Sequence, residues 1–115
     1  TLPDGKTPHE MIFKGAPLLD WEMDIAWVIR GGADPIKLIK KYAGNITAAH
    51  IKDIAPKGKN ADEDGWADVG HGTVDWKPIM AALKKTRVRH FVLEHDKPAD
   101  TKRFAERSFV AASKL

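Results

Sequence analysis

The chain has 115 residues, 43% of them hydrophobic and 30% charged, a composition that fits one globular domain and excludes a disordered tail. Its 19 basic and 16 acidic residues leave a formal charge of +3 with both signs interspersed, so the densest basic stretches, 37–41 and 84–89, read as solvated helix surface and not as a nucleic-acid footprint. There is no cysteine, which excludes disulfides, thiolate catalysis and cysteine–zinc sites, and no apolar run approaches membrane-spanning length.

Pro3-Asp4-Gly5 marks a turn. Thr7 and Glu10 are spaced as a capping box with Pro8 at the first helical position, predicting a short helix to about Lys14 that Gly15 and Pro17 end. Residues 18–24 read as a buried strand in which Trp21 and Met23 share one face. A short helical stretch over 25–30 stops at Gly31-Gly32. Asp34 caps the next helix, Pro35 opens it, Ile36, Ile39 and Ala43 line its apolar side, and Gly44 ends it. Residues 46–51 form the second strand. From 53 to 68 the chain is polar, glycine-bearing and aperiodic, the pattern of a long functional loop. A tight turn over 69–75 leads to Asp75, expected to cap a helix that carries Trp76, Ile79, Met80 and Leu83 at i, i+3, i+4, i+7 spacing. Residues 90–95 form the third strand, and Asp100 caps the last helix, 101–113. No internal repeat is legible. Strands separated by helices pair in parallel, so the fold class is α/β.

Each strand ends in a potential metal ligand: Asp24, His50 and Glu94. Strand, ligand at the C-terminal tip, loop and helix, repeated, is how a parallel α/β barrel builds its active site. Two carboxylates and an imidazole at one rim suit a single hard or borderline divalent cation. Each residue has a plainer role as well. Asp24 fits an N-cap, His50 a structural strand histidine, and Glu94 a salt bridge to Lys52. Lys52 suits either a substrate hydroxyl or phosphate, or a carboxylate beside the metal. Asp53 and His71 read as loop and turn residues, His95 points away from Glu94, and Asp96 supports either the site or the next helix. Trp66 in the polar loop is a lid aromatic or a hydrophobic anchor.

Across Trp21-Glu22-Met23-Asp24, Gly31-Gly32-Ala33-Asp34-Pro35, His50-Ile51-Lys52-Asp53, Val69-Gly70-His71-Gly72 and Leu93-Glu94-His95-Asp96, the chain resembles the C-terminal part of the xylose-isomerase-like TIM barrels, the sugar phosphate isomerase/epimerase family. The likeness runs from about Leu19 to the end, in order. It implies that residues 1–115 form a partial TIM barrel, the last three or so βα units of a (β/α)8 fold. In that family Glu, Asp, His and Glu from successive strand ends hold the metal. Asp24, His50 and Glu94 match the last three, and the first Glu is expected on a strand preceding this segment. Ketose 3-epimerases carry a histidine where Trp27 stands and an arginine where Pro56 stands, so substrate recognition differs, with Trp27 expected as an apolar wall or sugar-stacking face. Barrel relatives that cut DNA at abasic sites carry further histidines at the places of Trp27 and Trp66, which favours one metal and disfavours the nuclease reaction.

The resemblance implies a divalent-metal-dependent sugar or sugar-phosphate isomerase/epimerase working by proton transfer through a metal-stabilised enediolate, with Glu94 as ligand and catalytic base. The metal is one Mn, Co, Mg or Zn ion, and Trp27, Lys52 and Trp66 are the expected substrate contacts. With one Glu lacking, this segment alone is expected to be inactive. Two alternatives stay open. One is a dehydratase or lyase acting on a keto-inositol or related polyol ketone. The other is a non-catalytic barrel fragment serving as an assembly module. The expected partners are a small sugar, no nucleic acid, no membrane, and either a second copy or the missing barrel half, since three strands leave open edges. No signal-peptide pattern is visible, and the expected compartment is the cytoplasm.

Overall fold

Along residues 2–115, which the computed structural model describes, the elements run α1 (Pro8–Gly15), β1 (Trp21–Asp24), α2 (Ile25–Arg30), α3 (Pro35–Lys41), β2 (Ile46–Ile51), β3 (Asp53–Ile54), β4 (Trp66–Ala67), α4 (Trp76–Leu83), β5 (His90–Leu93) and α5 (Thr101–Ala112), with a 3-10 turn at Ala61–Glu63. β1, β2 and β5 form a three-stranded sheet in that order, and both pairings are parallel. The fold is α/β, with helices between the strands.

Strand alternation divides the sheet into two unlike faces. Met23, Ala49 and Ile51 are buried on one of them, in a core completed by Ile25, Ile39, Ile46 and Val69 together with Trp76, Ile79, Met80 and Leu83 of α4. Those four α4 residues are the ones its periodicity selects, and all are buried. The opposite face carries Glu22, Asp24 and His50, none of them fully buried. α1 has no buried residue; Phe13 holds it down in an aromatic group with Trp21 and Tyr42, at 5.8 and 5.0 Å between ring centroids.

Helix starts follow the capping residues closely. Thr7 and Glu10 make the reciprocal capping box, Asp34 accepts from Ile36 and Lys37 N–H, and Asp100 accepts from Arg103 N–H. Asp75 stands at the N-cap of α4 but makes no side-chain cap bond, contrary to expectation.

Two strand boundaries need correction. β1 is only Trp21–Asp24; Leu18 is 94% exposed and lies outside it, because its apolar side chain meets no partner layer there. β5 stops at Leu93, leaving Glu94 and His95 just beyond the strand.

The largest departure is the segment 53–68, which is not an open loop. β3 and β4 pair antiparallel, Asp53 with Ala67 and Ile54 with Trp66, around the 3-10 turn. Asn60 and Asp64 adopt the left-handed conformation at its ends, which Asn and Asp tolerate better than most residues. Glu63, Trp66, Ala67 and Asp68 are all buried. No helix among the described residues is long and apolar enough to cross a membrane.

Candidate metal centre

Register brings the three expected ligands together. Asp24 pairs with His50 across β1 and β2, and His50 pairs with Val92 across β2 and β5. Glu94 follows Val92 by two residues, so alternation returns it to the same face. One ligand atom from each of Asp24, His50 and Glu94 lies within 4.8 Å of the others. All three sit at the C-terminal ends of adjacent parallel strands, where Glu94 N–H donates to Ile51 C=O and continues the β2–β5 ladder.

The carboxylate of Asp24 divides its two oxygens. Oδ1 accepts the Trp27 N–H at 2.9 Å and caps α2. Oδ2 faces the cluster, 3.7 Å from His50 Nδ1 and 3.2 Å from Lys52 Nζ. The cap and the ligand readings of Asp24 therefore coexist in one side chain. Glu94 Oε2 contacts His50 Nδ1 and lies 3.2 Å from Lys52 Nζ, so its salt bridge to Lys52 is present as well.

Lys52 lies beneath the three ligands and is 1% exposed. Its ammonium meets Asp96 Oδ1 at 2.8 Å, Asp24 and Glu94, and sits 4.8 Å from the centroid of the Trp66 ring. Burial pushes its pKa down, but the hydrogen bonds it donates to Asp96, Asp24 and Glu94 outweigh that and hold it above the ordinary lysine value. With its ammonium engaged by three carboxylates, Lys52 fills the carboxylate-partner role of its two readings. Asp96 belongs to the site through Lys52.

Of its two readings, Trp66 takes the hydrophobic anchor. It is 2% exposed, paired on β4, with the Arg30 guanidinium 3.2 Å from its ring centroid and Trp27 edge-on at 5.1 Å. It is an anchor covering Lys52, not a lid or an accessible substrate contact, because cation and indole together satisfy its faces. Trp27 packs one edge on Trp66 and is otherwise 53% exposed. With His9, Trp21, Glu22, Asp24 and Val28 it lines a groove of about 550 Å³ beside the ligands.

Glu22 was not anticipated. Its Oε1 lies 2.8 Å from His50 Nε2. The signal was available, since residues two apart on a strand share a face and Asp24 was already assigned to it. Partial burial lowers the His50 pKa, but the carboxylates of Glu22 and Glu94 overcome this and hold the imidazole above its ordinary value. His95 is buried on the other side of β5, its ring 5.5 Å from that of Phe104, and takes no part in the cluster. Asp53 holds the turn after β4 by accepting from Gly70 N–H, Val74 N–H and Trp76 Nε1–H. His71 is exposed and outside the cluster.

The donor set fits a divalent cation. Four carboxylates, Glu22, Asp24, Glu94 and Asp96, surround one ammonium and one imidazole, an excess of negative charge concentrated at one rim. Ligand atoms around an ion at about 2.1 Å stand roughly 3.4 Å apart in a tetrahedral site; Asp24 Oδ2 and His50 Nδ1 are 3.7 Å apart, while Glu94 Oε2 touches His50 Nδ1 and would have to draw back from it to admit an ion. Compared with known proteins, the chain matches no family model and no curated sequence.

Proposed function

We propose that the chain supplies the C-terminal βα units of a xylose-isomerase-like TIM barrel and works in a divalent-metal-dependent sugar or sugar-phosphate isomerase or epimerase. The observation that carries this reading is the meeting of Asp24, His50 and Glu94 within 4.8 Å at the ends of three adjacent parallel strands. Strand ends on one rim of a parallel sheet are where barrel enzymes keep their chemistry.

A bound Mn, Co, Mg or Zn ion would polarise a sugar carbonyl and its neighbouring hydroxyl, making the carbon-bound proton between them acidic. Asp24, His50 and Glu94 would hold it. Glu94 is the proton-transfer group: half-buried and tethered through Oε2, it can take a proton from carbon and return it. Lys52 holds Asp24 and Glu94 in place, since its ammonium contacts both. The exposed indole of Trp27 forms an apolar wall of the adjoining groove, and the C–H face of a sugar packs well on such a surface.

Calorimetric titration of the chain with Mn(II) or Zn(II) tests the centre. One ion per chain is expected, with affinity reduced at least about tenfold in His50→Gln. In the assembled barrel, solvent deuterium is expected at the carbon beside the carbonyl of a ketose substrate, and Glu94→Gln is expected to slow its entry by about 10²-fold or more. Absence of metal uptake, or exchange indifferent to Glu94→Gln, overturns the reading.

A further inference from the structure

The two ring nitrogens of His50 face different neighbours. Nδ1 points into the cluster, toward Asp24 Oδ2 and Glu94 Oε2. Nε2 points away from it, and among the described residues its hydrogen-bond partner is Glu22 Oε1 at 2.8 Å. A neutral imidazole has one donor nitrogen and one acceptor nitrogen, and the acceptor is the one that can bind a metal. Which nitrogen remains free is decided by what the other one is bonded to. Carboxylates only accept, so without an ion Glu94 and Glu22 each favour a proton on the nitrogen they face; once a cation takes the Asp24 and Glu94 oxygens, the carboxylate still bonded to the ring is Glu22, and the proton stays on Nε2.

We infer that Glu22 is a positioning residue of this centre: it accepts the Nε2 proton of His50 and so directs the Nδ1 lone pair at a divalent cation held with Asp24 and Glu94. The inference rests on the metal reading given above and adds the residue that orients its histidine. Glu22 is not a further ligand to the same ion. It lies on the far side of the imidazole from Asp24 and Glu94, so one ion cannot take all four groups without the ring turning over. Turning would cost the Nε2 bond to Glu22 and aim a protonated nitrogen at the cation. The backbone supports this placement, because Glu22 opposes Ala48 while Asp24 opposes His50, which sets Glu22 one pleat back along β1 on the same face. A carboxylate that accepts from the remote nitrogen of a metal-bound histidine also raises the basicity of the bound one.

Zinc titration of the 15N-labelled chain, with His50 resonances assigned through His50→Gln, reads each nitrogen separately. Zinc is expected to move the Nδ1 resonance and to leave on Nε2 a proton that exchanges slowly with solvent. Glu22→Ala is expected to speed that exchange and weaken zinc binding by about 10–100-fold, and Glu22→Gln, which keeps an acceptor oxygen, to recover part of both. The Glu22 side chain is 56% exposed, so truncating it leaves the core untouched. Should Glu22→Ala nevertheless lose the fold, Nε2 proton exchange in Glu22→Gln carries the test: protection near the wild-type level supports the role, and none overturns it. Zinc on Nε2, or wild-type affinity in Glu22→Ala, overturns the role of Glu22 and leaves a metal centre standing. No zinc uptake by the wild-type chain overturns the centre and the role of Glu22 with it.

Discussion

Asp53 is 1% exposed and meets no basic side chain among the described residues, yet its carboxylate is fully occupied. Oδ1 accepts from the N–H groups of Ile54 and Val74, and Oδ2 from Gly70 N–H and Trp76 Nε1–H. A buried acceptor with two oxygens thus ties β3, the turn and α4 together, adding to the anchorage that Val69 gives the turn in the core. Gly72 passes so close to this carboxylate that an added Cβ would lie 2.2 Å from Asp53 Oδ1 and 2.5 Å from Ile54 O. Neither atom can retreat without breaking its hydrogen bonds. Gly72→Ala is therefore expected to lower unfolding free energy by about 1–3 kcal/mol in urea titration. Gly15→Ala is the matched control: the last residue of α1 meets nothing within 4 Å, so alanine there is expected to be neutral or slightly stabilising. Equal effects at the two positions would show that the Asp53 turn does not depend on close approach.

At the scale of elements, local chemistry made some features legible and long-range pairing hid others. The Thr7–Glu10 box, the Asp34 and Asp100 caps and the apolar stripe of α4 are each encoded within a few residues, and they stand where expected. Asp24, His50 and Glu94 could be picked out because each ends an apolar run. Trp66 and Glu63 could not be placed, because what orders them is distant in sequence. Arg30 and Trp27 cover Trp66, while Glu63 takes Ala99 N–H at 2.7 Å and the Arg103 guanidinium at 2.6 Å. Arg103 also bonds Asp68, which in turn pairs with Arg107, so α5 is fastened to the segment after β3 by charge as much as by apolar contact. The Arg103 guanidinium and the Ala99 amide hold the Glu63 carboxyl below its ordinary 4.5. A carboxyl with a folded pKa below its unfolded one stabilises in full above the unfolded value, and that contribution disappears as pH falls through the folded value. Unfolding midpoints measured across the acid range are expected to drop below about pH 4.5 in the wild type. Glu63→Gln is expected to start lower by about 1–3 kcal/mol at neutral pH and to show a shallower acid decline. Glu10, held to about 2 by Lys41, has the same sign but is exposed, and solvent screening makes its share smaller. An acid limb unchanged by Glu63→Gln would remove this network from the account.

The whole molecule is a slab. Its extents are 41 × 31 × 21 Å and its radius of gyration is 14.8 Å, against about 13 Å for a compact domain of this length. The reason lies in the sheet. β1 and β5 are its edges, and among the described residues neither has a further strand beside it. A parallel sheet is ordinarily covered on both faces, but here, beyond the end where Trp66 covers Lys52, the face bearing Glu22, His50 and Val92 has no layer packed over it among the described residues, and Val92 is 39% exposed. Phe91 on the β5 edge and Phe109 on α5 are 42% and 66% exposed, and both line a shallow apolar groove of about 270 Å³ with Ile51, Met80 and Leu93. Unpaired backbone at an edge next to exposed aromatic surface favours association. The isolated chain is therefore expected to self-associate, with a sedimentation coefficient that rises with concentration from the order of ten micromolar upward. Phe91→Lys, which sets a charge on the edge, is expected to shift that rise to higher concentration, as edge lysines do in natural sheets. It should leave metal affinity near the wild-type value, since Phe91 and the ligands occupy opposite faces of the sheet. A single monomeric species at all concentrations, with no binding of an apolar dye, would mean that the open face and edges are tolerated in water as they stand.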